Sequence, residues 1–311
     1  MSGIYLHDIQ FAVGESKPIE EIHQLSANEA LLGKFRNDGL QRYRQAHQTH
    51  LDLAQLSAQK TLASAGVKPG ELGAVLFCSE TIHRRPAYMT EVGRFPNMIG
   101  QPNAYLYGCY LNACSNFTTA LKLGGALLKS GDCDQVLLVT SDKAQSEARV
   151  MPGAIALLSD GAASCLLSKR PGGFQVNVVA CRSNADLFTI EPGVNQVAFL
   201  AGMVNCVKKL FDQVLSEARV DRRDISWLVS NNYSHSIYDS FAGIGSFPSE
   251  KVNRENLADY SHCFAADVLI NLKTMLESQN LEPGQRLVTL SSGQGYFGSS
   301  LLQVAKGEPS E

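Results

Sequence analysis

The stretch LNACSNFTTALKLGGALLKSGDCDQVLLVTSDKA, residues 111–144, places Cys114 just ahead of an apolar run with helical spacing that leads into the strand-like VLLVT. A thiol at the mouth of a helix faces unpaired backbone amides and the positive end of the helix dipole, which together favour the thiolate and predict a lowered pKa. A thiolate can take an acyl group from a thioester and hold it covalently. Position alone leaves a second reading open, in which Cys114 is one more small buried cysteine.

The remaining cysteines, at 78, 109, 133, 165, 181, 206 and 263, form no C-x-x-C pair. Scattered singly through a chain of this size they suit reduced thiols in a cytosol, and a metal site is not expected. His262 and Cys263 are adjacent, but as ligands they would need partners from elsewhere in the fold. The 311 residues are 44% hydrophobic and 18% charged, with a net charge of −3. This balance argues against disorder and against a nucleic-acid partner. The N-terminal MSGIYLHDIQFAV breaks its apolar residues with His7, Asp8 and Gln10, which argues against a signal peptide. No apolar run approaches the ~18 residues of a membrane span, so a cytoplasmic protein without membrane partners is expected.

To position a cysteine at a helix mouth, the chain needs strands that end beside helix starts. KTLASAGVKPGELGAVLFC (60–78) reads as helix, polar turn and strand, and QVLSEARVDRRDISWLVSN (213–231) reads the same way. A second echo relates 118–141 to 267–292 at an offset of about 151 residues. Nearly equal offsets indicate a duplicated unit. Each half then carries strand, helix, strand, helix and strand, and runs such as VLLVT and RLVTL read as strands buried on both faces. Two similar α/β halves are expected, 1–170 and 171–311, with the joint near Arg170 to Gly173. Segment 83–98 lacks periodicity and reads as a loop, either solvated or covering a site. GQGYFG (293–298) matches the dinucleotide fingerprint but is followed by the strand-like SSLLQVAK and the chain end, so nucleotide binding is not expected.

LNACSNFTTAL resembles the nucleophile motif of the ketoacyl synthase III branch of the thiolase superfamily. DLAQLSAQKTLASAGVKPGELGAVLFCSET is similar to the segment before that motif, ALLSDGAASCLLSK to the D-G-A strand, and SSGQGYFGSSLL to the glycine-rich closing loop. The resemblance covers almost the whole chain and agrees with the duplication. It implies a thiolase-like α/β fold, with duplicated βαβαβ halves in an α-β-α-β-α layering. It also implies Cys114 as acyl carrier in a ketoacyl synthase III-like acyltransferase, with acyl-CoA or an acyl carrier protein as donor and no further cofactor. A homodimer is implied, with a heterodimer with a related subunit as alternative.

The sequence departs from the family at the other two catalytic positions. The usual histidine position after the WLV strand holds Asn231, and the usual asparagine position holds His262 in YSHCFAAD. The simplest account is an exchange, with His262 as base or ion-pair partner and Asn231 as donor to a thioester carbonyl or enolate. The repeat supports it, since Asn231 lands on Cys78 at a strand end and His262 falls just before the helix equivalent to that of Cys114. His235 in NNYSHS is the competing base. The backbone amides of Cys114 and Gly293 are expected to form the oxyanion hole. Glu80 in ETIH matches a catalytic glutamate of the related hydroxymethylglutaryl-CoA synthases, or is a solvated loop residue. Arg36, Arg84 and Arg85 are candidates for a phosphopantetheine carrier, or plain surface cations. The remaining readings are acyl transfer to an amine or hydroxyl, and an inactive partner subunit.

Overall fold

The computed structural model describes residues 3–80, 91–145, 148–190, 195–278 and 281–306. Its strands are β1 (Tyr5–Val13), β2 (Glu15–Pro18), β3 (Arg42–Gln45), β4 (Ala74–Cys78), β5 (Tyr105–Cys109), β6 (Gln135–Asp142), β7 (Gly161–Ser168), β8 (Phe174–Ser183), β9 (Ile225–Ser230), β10 (Arg286–Gly293) and β11 (Tyr296–Val304). The helices are α1 (His23–Ser26), α2 (Glu29–Asn37), α3 (His50–Ala65), α4 (Phe95–Met98), α5 (Asn116–Ser130), α6 (Gln196–Ala218), α7 (His235–Gly245), α8 (Leu257–Tyr260) and α9 (Asp267–Ser278). β4 and β7 are buried at every position, as expected of strands covered on both faces.

Nine strands form one sheet in the order β5-β4-β6-β7-β1-β8-β11-β10-β9, while β2 and β3 pair separately. The order carries the duplication, because β4-β6-β7-β1 in the first half is mirrored by β9-β10-β11-β8 in the second. The halves join where β1 meets β8 through Tyr5↔Gln175 and Leu6↔Phe174. β7 ends at Ser168 and β8 begins at Phe174, so the crossing between halves falls at 169–173.

Period-two alternation distributes each strand between two layers. Val75 and Phe77 of β4 pack with Leu51, Ala54 and Leu62 of α3, whereas Leu76 and Cys78 join the core around α5 and α9. In the second half, Leu287 of β10 faces that same central core, and Val288 and Leu290 face Val207, Leu210 and Phe211 of α6. The result is the expected layering: α3, sheet, α5 with α9, sheet, α6. Helix ends repeat the duplication, since Gly66 after α3 and Arg219 after α6 both adopt the left-handed cap conformation (φ 69° and 56°). The glycine-rich tip at 293–298 is the β10–β11 hairpin turning at Gln294-Gly295, a geometry with no helix start to receive a diphosphate. Within 83–98, residues 91–98 form a short 3₁₀ turn followed by α4, and 83–90 lie outside the described residues. Among the described residues no helix is long and apolar enough to cross a membrane.

Candidate active site

Cys114 occupies a 3₁₀ turn, Ala113–Ser115, that runs directly into α5. Ala113 takes a left-handed conformation (φ 50°), which costs an L-residue about 1–2 kcal/mol and is a form of strain that collects at functional sites. The second half repeats this construction about 151 residues on, in the turn Phe264–Ala266 before α9, where Phe264 has φ 55°. The two helix starts are held alike. Asn116 Oδ1 accepts the backbone N–H of Asn112 (3.1 Å), and Asp267 Oδ1 accepts that of Cys263 (2.7 Å).

His262 is fully buried, with its Nε2 3.2 Å from Cys114 Sγ. Its Nδ1 faces Asp267 Oδ2 at 2.5 Å, and that oxygen also accepts the Asn232 N–H at 2.8 Å. A proton on Nδ1 shared with the carboxylate leaves Nε2 as the acceptor toward sulfur. The ring lies between those of Tyr233 and Phe264, with centroids 5.1 and 5.7 Å away. Backbone bonds from His262 N–H to Leu157 C=O and from Ser159 N–H to His262 C=O fix the segment against residues 157–160. The buried Arg149–Asp160 pair, 3.0 Å apart, anchors those residues in turn.

Glu80 approaches the same sulfur from the end of β4, with Oε1 2.8 Å from Sγ. Asp142 at the end of β6 aims it by accepting the Glu80 N–H (2.7 Å) and the Ser79 hydroxyl (2.8 Å). Burial raises the Glu80 pKa above the usual carboxylate range, against the lowering effects of Cys114 and His262. The lowered thiol pKa expected from the helix mouth is not found. Burial first, and then the Glu80 carboxylate, push Cys114 well above the ordinary thiol value. The helix dipole is outweighed because the sulfur is desolvated and has an acidic group in contact.

Gly293 closes the site. A Cβ there would stand 2.6 Å from the Ala113 Cβ and 3.4 Å from the Cys114 nitrogen, so the side-chain-free backbone is what lets β10 reach the nucleophile turn.

Asn231 is held by two bonds within the fold. One carboxamide N–H goes to Phe264 C=O (2.9 Å), and Oδ1 accepts the Ser292 N–H (3.0 Å), so the side chain ties β9 to the Phe264 turn and to the end of β10. His235 is elsewhere, at the start of α7, with Nδ1 facing Arg254 at 3.3 Å. Arg36 pairs with Glu20 on the surface (2.9 Å), and Arg84 and Arg85 lie outside the described residues. Asp267 and the Tyr233 ring escaped the sequence reading. The repeat held the signal for Asp267, since it falls on Asn116 at the same offset.

Two family models match the chain: 3-oxoacyl-[acyl-carrier-protein (ACP)] synthase III over residues 110–185, and its C-terminal counterpart over 215–304. Among curated relatives, the beta-ketoacyl-[acyl-carrier-protein] synthase III of Chlamydia caviae is 24% identical over 283 residues, covering 81% of each chain. That of Paracoccus denitrificans is 26% identical over 279 residues, covering 81% of this chain and 83% of its own. Among solved structures, ChlB3, titled an acyltransferase, superposes with a TM-score of 0.83 at 19% identity, covering 97% of both chains. The synthase III of Pseudomonas aeruginosa gives 0.82 at 22% identity, covering 99% of this chain and 100% of its own. With its two models together spanning just over half of the length, the chain belongs to the 3-oxoacyl-[acyl-carrier-protein] synthase III family, whose solved members share its thiolase-like fold.

Proposed function

We propose that this protein is a cysteine-dependent condensing enzyme that takes an acyl group from an acyl-CoA or acyl-carrier-protein thioester onto Cys114. The observation that carries the reading is one sulfur flanked by an Asp267-oriented imidazole at 3.2 Å and by Glu80 at 2.8 Å. As Sγ attacks the thioester carbonyl, its proton passes to Nε2 of His262. The departing thiolate takes that proton as the carbon–sulfur bond of the donor breaks. The N–H groups of Cys114 and Gly293 hold the developing oxyanion. In the second half-reaction a malonyl thioester loses CO₂, its enolate attacks the acyl-cysteine, and the Cys114 thiolate leaves and takes up a proton from solvent.

Acyl transfer to an amine or hydroxyl is the alternative. Two observations favour it: the similarity to ChlB3, and the use of Asn231 as a backbone tie, which leaves the enolate one fewer free donor. Glu80 then serves as the base that deprotonates the acceptor. Intact-protein mass spectrometry after mixing with a panel of acyl-CoAs tests both. An adduct lost in Cys114→Ala supports acyl transfer, and its absence from the wild type overturns both readings. CO₂ release from a malonyl thioester then selects condensation.

We also propose a homodimer built on the β5 edge, where Tyr105, Tyr107 and Leu111 are exposed together. A related subunit on the same edge would give the heterodimer.

A further inference from the structure

A second set of reactive side chains lies at the opposite end of the sheet. β6 runs from Gln135 to Asp142, and Asp142 aims Glu80, whereas Gln135 pairs with Ser168 and lines a separate cavity of about 270 Å³ with His7, Asp134, Lys169 and Arg170. In that cavity His7 Nε2 is 2.7 Å from Ser168 Oγ, and His7 Nδ1 is 2.7 Å from Asp8 Oδ2. Ser168 Oγ accepts the Arg170 backbone N–H (3.1 Å), and the Nδ1 proton faces the carboxylate. The hydroxyl proton of Ser168 is therefore directed at Nε2. The Ser64 hydroxyl (2.7 Å) and the Arg170 guanidinium (2.9 Å) steady Asp8 from the other side, and that guanidinium also approaches Nδ1 at 3.3 Å.

The backbone is distorted to make this contact. Successive side chains of a strand point to opposite faces, so adjacent His and Asp residues cannot meet in regular β1. Asp8 has φ 52°, within a register shift between His7 and Gln10, and the turn brings its carboxylate onto its neighbour's ring.

We propose that Ser168 is a second nucleophile of this protein, with His7 as its base and Asp8 as a positioning residue, acting on small esters that enter this cavity. Ser168 Oγ bonds to the ester carbonyl carbon while its proton passes to His7 Nε2. The carbon–oxygen bond of the leaving alcohol breaks, and the alcohol departs with that proton. Water, deprotonated by His7, then releases the acid and restores Ser168. Burial holds His7 below the ordinary imidazole value, so its acceptor nitrogen stays free at neutral pH.

The test uses the full chain carrying Cys114→Ala, treated with a fluorophosphonate and mapped by peptide mass spectrometry. Fluoride is displaced, and the adduct is expected on Ser168. A chain modified elsewhere, or not at all, overturns the proposal. Asp8→Asn is expected to slow labelling about 10²-fold and to move its pH midpoint lower, because the carboxylate raises the proton affinity of His7; an unchanged profile removes Asp8 from the relay. Hydrolysis of 4-nitrophenyl acetate, lost in Ser168→Ala, is expected, and a rate unchanged in that variant overturns the proposal.

Discussion

Asp267 sets the tautomer of His262, and with it the direction in which the Cys114 proton can move. Asp267→Asn keeps the size of the side chain but removes the carboxylate that the Nδ1 proton faces. The rate of acyl-cysteine formation is expected to fall about 10²-fold, measured by quenched-flow mass spectrometry; an unchanged rate would show that the imidazole needs no orienting group. Glu80→Gln removes a charge in contact with the sulfur. Glu80 is the second cause, after burial, of the raised thiol pKa, so the pH midpoint for iodoacetamide alkylation of Cys114 is expected to move lower. A shift the other way would mean that Glu80 stabilises the thiolate. Cys114, His262, Glu80 and Gly293 could be picked out of the sequence because their types stand at motif positions or at ends of the repeat. The partners of Asn231 could not. Residue type shows that a carboxamide is present, but its bonding to Phe264 and Ser292 depends on how β9, α9 and β10 converge.

Glycine at 293 governs how closely the β10 end meets the Cys114 turn. Gly293→Ala would press a methyl group to 2.6 Å from Ala113, within a turn already strained at φ 50°. Forced overpacking of this kind costs about 1–3 kcal/mol. A lower midpoint in urea denaturation is expected together with slower acylation. Full acylation with unchanged stability would show that the turn gives way freely. Helix and strand segments of the duplicated halves could be anticipated because their apolar periods are strong and recur. The short elements α1, α4 and α8 and the β2–β3 pair could not, since a few residues carry too little periodic signal.

At the scale of the whole molecule, β5 is an edge strand bearing two exposed tyrosines, Tyr105 (67%) and Tyr107 (37%), next to Leu111 (74%). Apolar side chains on an unpaired edge suit pairing with a second copy. The double substitution Tyr105→Lys with Tyr107→Lys is expected to convert a dimer to a monomer in light scattering; a wild-type monomer at micromolar concentration would rule out the edge as an interface. The sequence carried the doubling of the fold through its nearly equal offsets. The layer order came from the family resemblance and not from the offsets, because it depends on how each strand divides its alternate residues between two cores. Cys114 and Glu80 belong to the first half, and His262, Asp267 and Gly293 to the second, while β1 and β8 share only two paired positions. The halves nonetheless share one apolar core around α5 and α9, so sulfur and nitrogen cannot part without opening it, and denaturant should end turnover and circular dichroism together.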